Sequence, residues 1–105
     1  MKLTKKMIKA IESKTNCGVS VDDDLITIYV GNSYDEDYQI EVDKGNDEVE
    51  QILQHCDNYD CDEHFDLWYG RGKGEPSSPS ELFENCKEIG ENLEELANVL
   101  REEMK

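Results

Sequence analysis

VSVDDDLITIYVGNSYDEDYQIEV, residues 19–42, decides the fold class. Its apolar side chains alternate with polar ones: Val19 and Val21, then Ile26, Ile28 and Val30, then Tyr38, Ile40 and Val42. A period of two sends successive side chains to opposite faces of a strand, so each run reads as a half-buried β-strand. The Asp22-Asp23-Asp24 run and Gly31-Asn32-Ser33 separate the three runs and supply turn chemistry. Three short strands with tight connections predict an antiparallel meander with one buried and one wet face.

On either side of this stretch the period becomes helical. Before it, residues 2–15 place Leu3, Met7, Ile8 and Ile11 on one helix face and lysines on the other, with Asn16 and Gly18 as the stop. After it, Asn46 is the expected N-cap of a second helix. Asp47 and Glu48 stand in its first turn, and Val49, Ile52, Leu53 and Cys56 form its apolar stripe. Asp60 with Glu63 resembles a capping box that opens a short helix carrying Phe65, Trp68 and Tyr69. Residues 70–80, GRGKGEPSSPS, read as irregular. Ser78, Pro79 and Glu81 then cap a long final helix whose Leu82, Cys86, Ile89, Leu93, Leu96 and Leu100 recur at steps of four and three. Gly90 flanks that seam, where a missing side chain lets another element approach closely. The expected class is α+β in a single domain over 1–105. It comprises an N-terminal helix, a three-stranded antiparallel β-meander, two shorter helices and a long C-terminal helix packed on one face.

Charge is the other strong signal. The 105 residues hold 26 acids against 11 lysines and arginines, a formal charge of −15. Residues 1–14 contain five of those bases and one acid, which leaves 6 bases against 25 acids in the rest. Such a surface repels nucleic acid and anionic membranes and favours a partner with a basic surface. No run of apolar residues is long enough to span a bilayer, and no apolar segment follows the first lysines as in a secretory signal. The expected location is the cytoplasm, where Cys17, Cys56, Cys61 and Cys86 stay thiols.

Enzyme-like constellations are weak. His55, Cys56, Cys61 and His64 are zinc-ligand types, but their spacing matches no standard finger or ribbon, and Cys56 completes an apolar stripe. A calcium loop starting at Asn58 requires glycine where Glu63 stands and glutamate where Tyr69 stands. Cys61 and His64 lack an orienting third group, and the carboxylates around them raise a thiol pKa. Gly70-Arg71-Gly72-Lys73-Gly74 follows a short aromatic helix rather than the buried strand of a phosphate loop. No catalytic residue, metal or cofactor is therefore expected.

What remains is the acidic surface and an aromatic tip. Residues 35–66 carry thirteen acids and one base, Lys44, and Glu84, Glu88, Glu91 and Glu95 form a ridge at helical spacing. Of Trp68 and Tyr69, one is expected in the core and the other as a binding hot spot. The candidate partner-binding residues are Asp35, Glu36, Asp37, Asp57, Asp60, Asp62, Glu63, Asp66, Trp68, Tyr69, Arg71 and Lys73.

Residues 64–89, HFDLWYGRGKGEPSSPSELFENCKEI, resemble small uncharacterised acidic proteins of phages and mobile elements of Firmicutes-type bacteria. The resemblance rests on Trp68-Tyr69, the glycine-rich turn, Glu75-Pro76-Ser77-Ser78 and the acidic leucine-patterned helix after them. In size and charge the chain is similar to type II anti-CRISPR proteins. The resemblance implies a non-enzymatic inhibitor whose partner is a basic nucleic-acid-binding protein, an RNA-guided nuclease, with no direct contact to nucleic acid or membrane. The alternative is a phage accessory adaptor that binds a host or virion protein through its Trp-Tyr and glycine-rich tip.

Overall fold

A computed structural model describes residues 1–32, 38–70 and 79–105. Its elements run α1 (Lys5–Lys14), β1 (Cys17–Val21), β2 (Leu25–Val30), β3 (Gln39–Asp43), α2 (Glu48–Asn58), α3 (Cys61–Gly70) and α4 (Pro79–Glu103). The class is α+β, with four helices and a three-stranded antiparallel sheet in the order β1-β2-β3 among the described residues.

The register follows from the alternation. Val19 pairs with Ile28 and Val21 with Ile26, while Ile26 pairs with Val42 and Ile28 with Ile40. Cys17, Val19, Ile26, Ile28, Val30, Ile40 and Val42 thus share one face, and a slip of one residue turns all of them to water. Asp22 N donates to Leu25 O at 2.8 Å and closes the first turn on Asp23-Asp24. At the other end Gly31 N donates to Asn16 O at 2.8 Å, and a Cβ on residue 31 stands only 2.6 Å from that oxygen. Glycine is required there by the approach of another backbone. Tyr38 precedes β3 rather than opening it, and its carbonyl accepts from Val30 N at 2.9 Å.

Gln51 of α2 covers the outer edge of β3. Its Nε2 donates to Asp43 O at 3.0 Å and its Oε1 accepts from Asp43 N at 3.2 Å, so one side chain stands in for a neighbouring strand.

α1 starts at Lys5 rather than residue 2, because Thr4 is extended and its Oγ1 accepts from Met7 N at 3.2 Å. The residues before it run against α2 instead: Val49 N donates to Met1 O at 3.0 Å. Leu3 N and Gly45 N both donate to the Glu48 carboxylate at 2.9 Å. Glu48 is only 5% exposed. Burial works to raise its pKa, but those two backbone donors, aided by Lys2 and Lys44, outweigh it and hold the carboxyl below the usual range. The residue preceding α2 is Asp47 rather than Asn46, and it makes no capping hydrogen bond with its side chain to the helix.

The core joins the inward sheet face to Met7 and Ile11 of α1, Val49 and Ile52 of α2, and Ile89, Leu93, Leu96 and Leu100 of α4. Burying one such aliphatic side chain stabilises the fold by about 1.5–3 kcal/mol, so the four-and-three repeat of α4 is the largest single helical contribution. Ser78, expected as its cap, lies outside the described residues.

Candidate functional site

The α2–α3 corner and α3 bring together most of the describable candidate residues. Asp60 Oδ1 accepts from Asp62 N at 2.9 Å and from Glu63 N at 3.4 Å, which starts α3 where the sequence placed it. α3 packs against α4 yet buries none of its own residues fully. Phe65 meets Phe83 of α4 edge to face, with ring centroids 5.6 Å apart. Phe65 also stacks on Tyr69, with ring centroids 5.6 Å apart.

The pivot is a residue that sequence reasoning passed over. Tyr59 Oη donates to the Cys86 carbonyl at 2.8 Å and meets His64 Nδ1 at 2.6 Å. Its ring edge lies over Gly90, where a Cβ is only 3.2 Å from Cε2. Gly90 is therefore the close approach its place beside the seam predicted, with Tyr59 as the visitor. A phenol has one proton to give, and a backbone carbonyl can only accept it. The His64 contact consequently runs from Nδ1–H to Tyr59 Oη, which fixes the tautomer and leaves Nε2 as an acceptor. Burial lowers the His64 pKa, so the ring is neutral at pH 7. Burial raises the Tyr59 phenol, which also stays protonated.

His64 is built into an aromatic cluster. Its ring centroid lies 3.8 Å from that of Trp68, 5.3 Å from Tyr59 and 5.2 Å from Tyr38, and Tyr38 meets Tyr59 edge to face at 5.6 Å. Trp68 is half-buried against the core, whereas Tyr69 is 53% exposed, as is Leu67 at 50%. Among the described residues no group of three or more His, Cys, Asp or Glu side chains is placed to hold a metal ion. His55 is exposed, and Cys56 packs against the core with its thiol pushed up to about 12, mainly by burial. None of the described cysteines forms a disulfide.

The acids divide into two groups. At the start of α2, Glu48 faces Lys2 and Lys44, and Glu50 takes the N-terminal ammonium. At the corner and along α3, Asp60, Asp62, Glu63 and Asp66 are exposed and form no ion pair among the described residues, while Asp57 pairs with Arg101 at 3.1 Å. The lysines of α1 are elsewhere: Lys6 and Lys14 approach Glu103 near the far end of α4, each at 3.9 Å. At about 1.5 Å per residue, Phe83 beside Phe65 of α3 stands about 30 Å along α4 from Glu103 beside α1, but the α2–α3 corner is nearer, because Asp57 pairs with Arg101 two residues before Glu103. Among the described residues no lysine of α1 forms an ion pair with an α3 acid. Glu91 and Glu94 of α4 face Asp57 and Cys61 across a cleft that also holds Lys87 and Arg101. Asp35, Glu36, Asp37, Arg71 and Lys73 lie outside the described residues.

Among the described residues one buried side chain has no partner. Asn85 of α4 is wholly buried, and among the described residues neither its Nδ2 nor its Oδ1 makes a hydrogen bond. No protein-family model, curated protein or solved structure matches the chain.

Proposed function

We propose that this protein is a non-enzymatic inhibitor of a host defence nuclease, an anti-CRISPR protein that blocks DNA binding by a type II CRISPR effector through an acidic, DNA-mimicking surface. The observation that carries the reading is the segregation of charge. Among the described residues the exposed carboxylates of Asp60, Asp62, Glu63 and Asp66 have no cation paired to them, Asp57 holds Arg101, and the α1 lysines approach Glu103 instead. In this reading the helices cover one face of the meander and leave the α3 acids outermost. Nucleases of that class hold backbone phosphate with lysine and arginine, which carboxylates engage in the same way. Like charges at Asp62 and Asp66, one turn apart, cost the helix a few tenths of a kcal/mol. That small penalty is supported by a use in docking rather than in folding.

The test is inhibition of DNA binding by a purified type II effector as salt is raised from about 50 to 500 mM. The protein should lose potency steeply over that range. Potency that does not change with salt refutes mimicry.

Exposed Tyr69 and Leu67 on α3 favour a second reading, an adaptor that binds a host or virion protein through its aromatic tip. In that case Tyr69→Ser abolishes partner capture while reversal of the α3 acids leaves it intact. The inhibitor predicts the opposite ranking.

A further inference from the structure

Where α2 turns into α3 the surface holds a cleft of about 200 Å³, lined by Tyr38, Tyr59, His64, Leu67, Asp60 and Glu63, with Asn58 at its margin. Three of its walls are rings held at fixed angles to one another: Tyr38 and Tyr59 at 77°, Tyr59 and His64 at 82°, Tyr38 and His64 at 50°. They are also pinned. Tyr59 is tied to Cys86 O, His64 to Tyr59, and Trp68 backs the imidazole at 3.8 Å. The walls therefore lose little freedom when something enters. A site this small falls below the roughly 300–1,000 Å³ of a small-molecule pocket and suits a single side chain.

We infer that this cleft is a socket for one arginine side chain of a basic protein partner, its guanidinium laid flat on one of the two tyrosine rings and its N–H groups directed to Asp60 and Glu63. Charge decides the occupant. The carboxylates repel an anion, and a wholly apolar group leaves them without a partner. His64 contributes no competing positive charge, since its Nδ1–H is donated to Tyr59 and its half-buried ring stays neutral. Glu63 is exposed and both its oxygens are open among the described residues, whereas Asp60 keeps Oδ2 after Oδ1 has capped α3. Arginine is selected over lysine because a planar, weakly hydrated guanidinium both stacks on a ring and meets a carboxylate with two parallel bonds. This inference rests on the reading of the acidic end as a surface for a basic protein, but its test needs no nuclease.

The experiment titrates the isotope-labelled full chain with two blocked tripeptides, acetyl-Gly-Arg-Gly-amide and acetyl-Gly-Lys-Gly-amide, followed by amide and aromatic NMR shifts. The arginine peptide should saturate with millimolar affinity and shift Tyr38, Tyr59, Glu63, His64 and Leu67 selectively. It should also bind about two- to fivefold more tightly than the lysine peptide. Glu63→Gln, an exposed and structurally neutral change, should remove most of that preference while leaving the rest of the amide spectrum in place. Equal binding of the two peptides, or weak shifts spread over every acidic residue, overturns the socket. If the arginine preference is found but the chain leaves the nuclease uninhibited, the proposed function fails and the socket stands.

Discussion

Replacing Gly90 with alanine sets two effects of similar size against each other. On propensity alone, the change stabilises α4 by about 1 kcal/mol, because glycine in a helix interior loses more backbone entropy than alanine. The new methyl, however, stands 3.2 Å from Tyr59 Cε2, tighter than ordinary contact. The ring must yield by a few tenths of an ångström. It is poorly placed to do so: its hydroxyl is held at 2.8 Å by Cys86 O and at 2.6 Å by His64, and Tyr38 packs edge-on against it. Overpacking of this kind costs about 1–3 kcal/mol. Gly90→Ala should therefore destabilise the wild-type chain by about 1 kcal/mol, a fall in Tm of roughly 4–8 °C for a domain of this size. In a Tyr59→Ala background the obstruction is gone, and the same change should stabilise by about 1 kcal/mol. The coupling is then about 2 kcal/mol, within the range for residues in contact. Urea unfolding of the four proteins, followed by the fluorescence of Trp68, measures it. If Gly90→Ala stabilises both backgrounds equally, Tyr59 is not the pinned wall described here.

Three further outcomes follow from single groups. Asn85→Leu replaces two buried polar atoms that lack partners among the described residues with two methyls, at the same heavy-atom count, and should raise stability by about 1–3 kcal/mol in the same urea assay. Glu48→Gln should cost about 1–3 kcal/mol at pH 7, where the ionised carboxylate accepts from Leu3 N and Gly45 N. Because the folded pKa of Glu48 lies below its unfolded value of about 4.3, the stabilisation is full above that value and lost as pH falls through the folded pKa. The gap between wild type and Glu48→Gln should thus close on acidification, and urea midpoints from pH 7 down to acid will show whether it does. Gln51→Ala uncovers the Asp43 edge of β3, and should cost about 1–2 kcal/mol and increase aggregation on heating, read by light scattering.

The parts of the fold that follow a period were legible. Alternation at Ile26, Ile28 and Val30 gave the sheet face, and the four-and-three steps from Leu82 to Leu100 gave the buried face of α4. Local capping was legible where one side chain does the work, as at Asp60. It failed where a distant group supplies the partner. Glu48 looked like a first-turn acid suited to the helix dipole, yet it is buried because Leu3, 45 residues away, donates to it. Tyr59 carried no signal, since its partners at Cys86 and Gly90 come from another helix and belong to no spacing rule. The glycine at residue 90 was the visible half of that contact. For the candidate site, composition showed that the acids are many, but only the fold shows that those opening α2 face Lys2 and Lys44 while those along α3 do not.

The central claim is that the position of the α3 carboxylates, rather than total charge, makes the chain an inhibitor. The most direct measurement compares two triple variants in DNA-binding assays with the effector: Asp62→Lys, Glu63→Lys, Asp66→Lys on α3, and Asp22→Lys, Asp23→Lys, Asp24→Lys on the β1–β2 turn. Both change the net charge equally. The account predicts that the α3 variant loses inhibition by a factor of at least about 100, for three charge pairs at roughly 1 kcal/mol or more each, while the turn variant inhibits almost as well as wild type. Equal losses in the two variants contradict it.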